Sequence, residues 1–215
     1  AELGGRIRAL LALAAGAQGE LFVERGALRF GAGSLQWPAV AGVRISGTAT
    51  GLDLLRTSAA LRGALQALGS TIPWSGELRV RDMRLLGQPV GEVRLQFADV
   101  AGRSVVRLDG ERLRGLAELG NGDTATEAVA RVALERLTLD DLPGAATPGV
   151  FRATNPWAAT IDIEDLSIAG RNLGRWQGRI TGEAERLEIP TLRFVAGGRH
   201  GNGQLHCGIG AGYCR

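Results

Sequence analysis

Two stretches of the chain carry one pattern: PWSGELRVRDMRLLGQPVGEVRLQF, Pro73 to Phe97, and PWAATIDIEDLSIAGRNLGRWQGRI, Pro156 to Ile180, an offset of 83 residues (156 − 73). Pro73, Trp74, Asp82, Gly87 and Gly91 recur as Pro156, Trp157, Asp165, Gly170 and Gly174. Leu78, Val80, Met83, Leu85, Val90, Val93 and Phe97 answer to Ile161, Ile163, Leu166, Ile168, Leu173, Trp176 and Ile180. A repeat of this kind decides architecture before any single motif does.

Each copy reads as a strand, a turn and a strand. Leu78 and Val80 alternate with Arg79 and Arg81, and Ile161 and Ile163 with Asp162 and Glu164. Period-2 alternation is the signature of a half-buried strand. The phase then slips by one at Asp82 and Asp165, which predicts a β-bulge at each. Gly87 to Gly91 and Gly170 to Gly174 reverse the chain, since Gly and Asn accept positive φ and Pro donates nothing to a ladder.

Outward from the repeat, GELFVERGALRF (Gly19 to Phe30) resembles a third, degenerate copy with Gly26 at the bulge, and Gly42 to Gly47 is a strand of the same kind. Ser104 to Leu108 and Arg112 to Leu116 flank the turn dipeptide Asp109-Gly110. Asn121-Gly122-Asp123 marks another turn. Ala130 to Leu139 is a strand with a phase slip, and Leu187, Ile189, Leu192 and Phe194 form a last strand whose Pro190 suits a bulge or an edge.

Two segments carry helical spacing: Leu3, Ile7, Leu10 and Leu11 near the start, and residues 52–68, where Leu54, Leu61, Leu65 and Leu68 share a face and Gly69 closes the helix. The expected fold is therefore mainly β: a long antiparallel meander of about ten strands curled into a groove, with one or two short helices. Residues 1–18 are the lead-in, 19–200 the β segment, and 201–215 a Gly/Cys tail predicted to lack order.

Composition excludes several classes. All 25 basic residues are Arg, yet the net charge is only +3, too little for a nucleic-acid surface. No stretch reaches the ~18 apolar residues of a spanning helix, and Ala9 to Ala15 behind Arg6 and Arg8 is short for a signal peptide. The only cysteines, Cys207 and Cys214, cannot staple the rest. His200, His206, Cys207 and Cys214 match no standard zinc spacing. The same two histidines leave no Ser/His/Asp set to assemble, and no phosphate loop or nucleotide fingerprint occurs, so no enzyme, cofactor or metal is expected. Trp37, Trp74, Trp157 and Trp176 read as packing plugs.

The run IDIEDLSIAGRNLGRW, Ile161 to Trp176, followed by the strand holding Leu187, Ile189, Leu192 and Phe194, resembles the carboxy-terminal region of the AsmA-like proteins of Gram-negative bacteria, nearest the YhdP branch. LRFGAGSLQWPAVAGVRISGTATGLDLL (Leu28 to Leu55) and the stretch from Val106 to Leu139 are similar to the same branch. The resemblance implies a periplasmic β-sheet groove, anchored in the inner membrane by a segment outside this chain, that carries phospholipid toward the outer membrane. The resemblance also implies a partner protein in the inner membrane. By that resemblance the chain is a fragment, with the tail after Leu205 departing from the family.

Residue pattern and resemblance assign one groove lining: Leu78, Val80, Val93, Leu95, Phe97, Ile161, Ile163, Ile180, Leu187, Ile189 and Phe194, with phospholipid acyl chains as the ligand. The competing reading is a sandwich or solenoid spacer, or an adhesin-like module, whose apolar faces pack on each other without ligand. An outer-membrane barrel is set aside because aromatics, at 5%, are too few for its girdles.

Overall fold

The period-2 alternation is carried out in full by a single sheet. The computed structural model describes residues 7–15, 21–53, 73–85, 87–100, 103–121, 128–141, 153–184, 186–208 and 213–214. Its strands are Ile7–Ala15 (β1), Leu21–Phe30 (β2), Gly42–Thr50 (β3), Trp74–Leu85 (β4), Gln88–Val100 (β5), Arg103–Gly110 (β6), Leu113–Asn121 (β7), Ala128–Leu139 (β8), Ala153–Ile168 (β9), Arg171–Ala184 (β10), Arg186–Ala196 (β11), Arg199–Gly208 (β12) and Tyr213–Cys214 (β13). They lie side by side in sequence order in one thirteen-stranded sheet that does not close on itself.

The repeat holds at the level of hydrogen-bond register. In the first copy Gly76, Leu78, Val80, Met83, Arg84 and Leu85 face Phe97, Leu95, Val93, Gly91, Pro89 and Gln88. In the second, Ala159, Ile161, Ile163, Leu166, Ser167 and Ile168 face Ile180, Gly178, Trp176, Gly174, Asn172 and Arg171. Both members of every pair are offset by 83 residues, and the register shifts fall at the same steps. The predicted bulges are present. Asp82 takes up the extra residue of β4 with φ of 54°, a region that Asp tolerates better than most side chains. Gly91 and Gly174 adopt φ of 81° and 71° at the answering bend of the return strand, where a Cβ would be strained. The slips in β8 at Glu135 and in β11 around Pro190 are bulges too. Pro190 is not on an edge, because β11 is paired on both sides.

Several expectations are corrected. The meander is mixed: β2 with β3, β3 with β4 and β8 with β9 run parallel, and the other junctions antiparallel. Each parallel junction spans a connection too long for a hairpin, from Phe30 to Gly42, Thr50 to Trp74 and Leu139 to Ala153. The apolar run at the start is strand, not helix, and forms the sheet edge against β2. Residues 199–208, most of which were assigned to the tail, form β12, paired along β11, and Cys207 faces Cys214. The chain turns at Glu111-Arg112, one step beyond Asp109-Gly110.

The bulge in β2 falls at Glu24 rather than Gly26, so Gly19 to Phe30 supplies one strand and not a third hairpin. Of the helix over 52–68 only Leu52 and Asp53 are described. Both are extended, since the Leu52 carbonyl accepts from the Arg84 N–H at 2.8 Å and Asp53 bridges Arg84. The remainder, and the turn after Asn121, lie outside the described residues.

The sheet curls toward its apolar face. Third-neighbour strands in a flat sheet stand about 14 Å apart, at ~4.8 Å per strand. Cα atoms of β5 and β8, third neighbours, come within 8 Å. Curling wraps Val80, Met83, Val90, Val93 and Leu113 into a core in which each is under 2% exposed. Burial of each such side chain stabilises by about 1.5–3 kcal/mol. The opposite face carries ion pairs: Arg79 with Glu92, Arg94 with Glu77, Arg114 with Asp109, Arg136 with Asp165 and Arg175 with Asp162.

Candidate functional site

Because adjacent strands are in register, side chains of one face line up in rows that run across the strands. One row reads Ile7, Phe30, Gly47, Leu78, Leu95, Leu108, Gly115, Leu134, Ile163, Trp176, Phe194 and Gly201, through twelve strands without a polar residue. A parallel row reads Ala9, Leu28, Ile45, Gly76, Phe97, Val106, Ala117, Val132, Ile161, Gly178, Leu192 and Gly203. The sheet therefore presents a continuous apolar trough.

Burial grades across the trough. The row of Val80, Val93, Leu113, Leu137 and Leu166 is buried on the side where the curl closes. The central row stays buried between β4 and β9 except at Gly115. Beyond Phe97, the second row is half-exposed at Val106, Ala117, Val132 and Ile161. The outermost row, through Trp74, Asp99, Ser104, Leu119 and Ala130, is half-exposed as well. One long side of the trough is thus a packed floor and the other an open mouth. The β1 end is open too: Ile7 and Leu13 are 48% and 57% exposed.

This divides the predicted lining. Leu78, Val80, Val93, Leu95, Phe97 and Ile163 share the face assigned to them but are packed against one another and against Leu108, Leu134 and Leu137. They form the floor, not an open surface. Ile161, Ile180, Ile189 and Phe194 are half-buried and border the open part. Ile189 stands over Gly178, its Cγ2 3.8 Å from where a Cβ would lie. Leu187 pairs with Gly182 and Cys207 through its backbone, and its side chain lies outside the described residues.

Register also brings in residues that were not picked out. Trp176 stacks on Phe194 with centroids 5.1 Å apart, and its indole N–H donates to the Leu173 carbonyl at 2.9 Å. The Phe194 ring lies over Gly201, where a Cβ would come within 2.1 Å of it. Trp74 leans on Phe97, also at 5.1 Å. Trp74 in the first repeat and Trp176 in the second are thus packing residues, whereas Trp37, 44% exposed, is not a plug. Val106, Leu108, Val132, Leu134 and Leu192 complete the rows, and each showed the same alternation as its neighbours.

The ion pairs lie on the other face. A cleft of about 450 Å³ there is lined by Arg79, Glu92, Arg94, Asp109, Arg114 and Arg136, most of them already paired with one another. The Arg175 guanidinium donates to both Asp162 oxygens, at 3.1 and 2.7 Å, and with help from Gln177 holds that carboxyl below the usual carboxylate range. Such matched charges suit solvation of a sheet face rather than acid–base work. In the tail, six residues of β12 put the His200 and His206 backbones about 20 Å apart, at ~3.3 Å per residue, too far for one metal ion.

No protein-family model, no curated protein and no solved structure matches the chain. Among the described residues, no helix is long and apolar enough to cross a membrane.

Proposed function

We propose that this chain is a segment of a non-catalytic lipid-holding protein, with phospholipid acyl chains lying along the apolar trough and headgroups at its mouth. The observation that carries the reading is the twelve-strand apolar row together with the half-exposed row beside it. An acyl chain gains about 0.8 kcal/mol per methylene removed from water, with no hydrogen-bond specificity. Successive positions in a row are chemically alike, so a chain can slide without an energy source. The likeness of Ile161 to Trp176 to AsmA-like proteins extends the proposal: a periplasmic place, with phospholipid passing between inner and outer membranes through a longer, inner-membrane-anchored protein.

A second reading has its own observation. Between β4 and β9 the floor is filled by protein, with Val80, Met83 and Val93 at 0% exposure, as a ligand-free spacer requires. The two readings part at the mouth. Cis-parinaric acid should fluoresce on binding the purified chain and be displaced by phospholipid. Phe194→Asp and Ile161→Asp should each weaken it about tenfold, the equivalent of ~1.4 kcal/mol. A spacer shows no bound fluorescence, and unchanged binding in both variants would place the probe elsewhere.

A further inference from the structure

Six acids are paired with arginines, and one acid stands on the apolar face. In β5, alternation puts Asp99 on the side of Val93, Leu95 and Phe97, opposite Ser104 of β6 and in the row of Trp74. Among the described residues its Oδ1 is buried without a hydrogen-bond partner, while the residue as a whole is half-exposed. Among the described residues, the four rows of the trough hold no other charged side chain. Glu77, Glu92, Asp109, Asp162 and Asp165, by contrast, each meet an arginine. A buried acceptor left without a donor is costly, and no described residue supplies one.

The place of Asp99 supplies the missing donor. It lies at the mouth, one step outward from Phe97 along β5, where the second row is half-exposed at Val106 and Val132. We propose that Asp99 accepts the ammonium of an ethanolamine phospholipid whose acyl chains lie over Phe97, Val106 and Val132. This rests on the acyl-chain reading above and adds a headgroup preference to it. The chemistry is selective. A primary ammonium offers both a positive charge and N–H donors, a choline headgroup offers no donor, and a phosphatidylglycerol headgroup brings net negative charge toward a carboxylate.

The test uses the whole chain, equilibrated with vesicles of equal ethanolamine and glycerol phospholipids of identical acyl chains, re-isolated, and its lipid counted by mass spectrometry. The wild type is expected to be enriched in the ethanolamine lipid about fivefold. Asp99→Asn is expected to bring that ratio near unity with total captured lipid unchanged. Equal ratios in the two proteins, or no enrichment in the wild type, would overturn the headgroup role and leave the acyl-chain reading standing. No lipid in either folded protein would overturn both. Asp99→Leu removes the orphan acceptor and is expected to unfold at the same or a higher denaturant concentration. Loss of the fold in that variant would make Asp99 a structural residue and contradict the proposal.

Discussion

Val93→Asp is expected to abolish the cooperative fold. Val93 is at 0% exposure, facing Val80 of β4 on one side and Gly110 of β6 on the other. The substitution forfeits about 1.5–3 kcal/mol of apolar burial. It also buries a carboxyl with no donor in reach, at a cost of roughly 2–7 kcal/mol. Together these approach the 5–15 kcal/mol total stability usual for a domain. Arg94→Gln, one residue along but on the ion-paired face, removes the ion pair with Glu77 and should cost about 1 kcal/mol or less. Urea unfolding followed by tryptophan fluorescence distinguishes the two. A Val93→Asp midpoint equal to that of the wild type would mean that the curled face is not a core.

Gly47→Ala is expected to detach the β1–β2 edge. Gly47 has φ of 121°, and a Cβ there would lie 2.0 Å from the Phe30 carbonyl oxygen. Phe30 and Gly47 are the final pair of the parallel β2–β3 junction, so the two strands must part to admit a methyl group. Backbone strain alone costs about 1–3 kcal/mol, before the steric term. Amides of β1 and β2 should lose about a hundredfold of hydrogen-exchange protection, the equivalent of ~2.7 kcal/mol, while β9 to β11 keep theirs. An even loss over all strands, or none, would contradict the assigned junction.

What could be read from the sequence is whatever recurs locally. The 83-residue offset survived into every cross-strand pair because alternation and bulge position are properties of a few neighbouring residues. The parallel junctions were hidden, since Val43 to Ala49 alternates identically whichever way its neighbour runs. Ile7, Leu10 and Leu11 imitate a helical stripe because an edge strand exposed on both faces has no alternation to keep. In β12 the inward positions are Gly201 and Gly203, so the apolar face is supplied from across the junction by Phe194 and Leu192.

The site followed the same division. That Leu78, Val93, Ile161 and Phe194 share one face was legible from spacing. That Val93 is floor and Ile161 is rim was not, because curvature sets it: the approach of β5 to β8 joins strands with two others between them in sequence. Asp99 escaped notice for a related reason. Its row partners come from Ser104 and Leu119 on the next two strands, and only there does the want of a cation become visible.

Acyl-chain contact along the open rim is tested most directly by photo-crosslinking in cells that make the protein. A photoreactive residue would be placed at Ile161 or Phe194, with Thr160 and Arg193, exposed neighbours of opposite facing, as controls. The expected result is phospholipid covalently trapped at Ile161 and Phe194 and absent at Thr160 and Arg193. A folded protein that traps no lipid at any of the four positions would contradict it, and the trough would then be the packed core of a spacer.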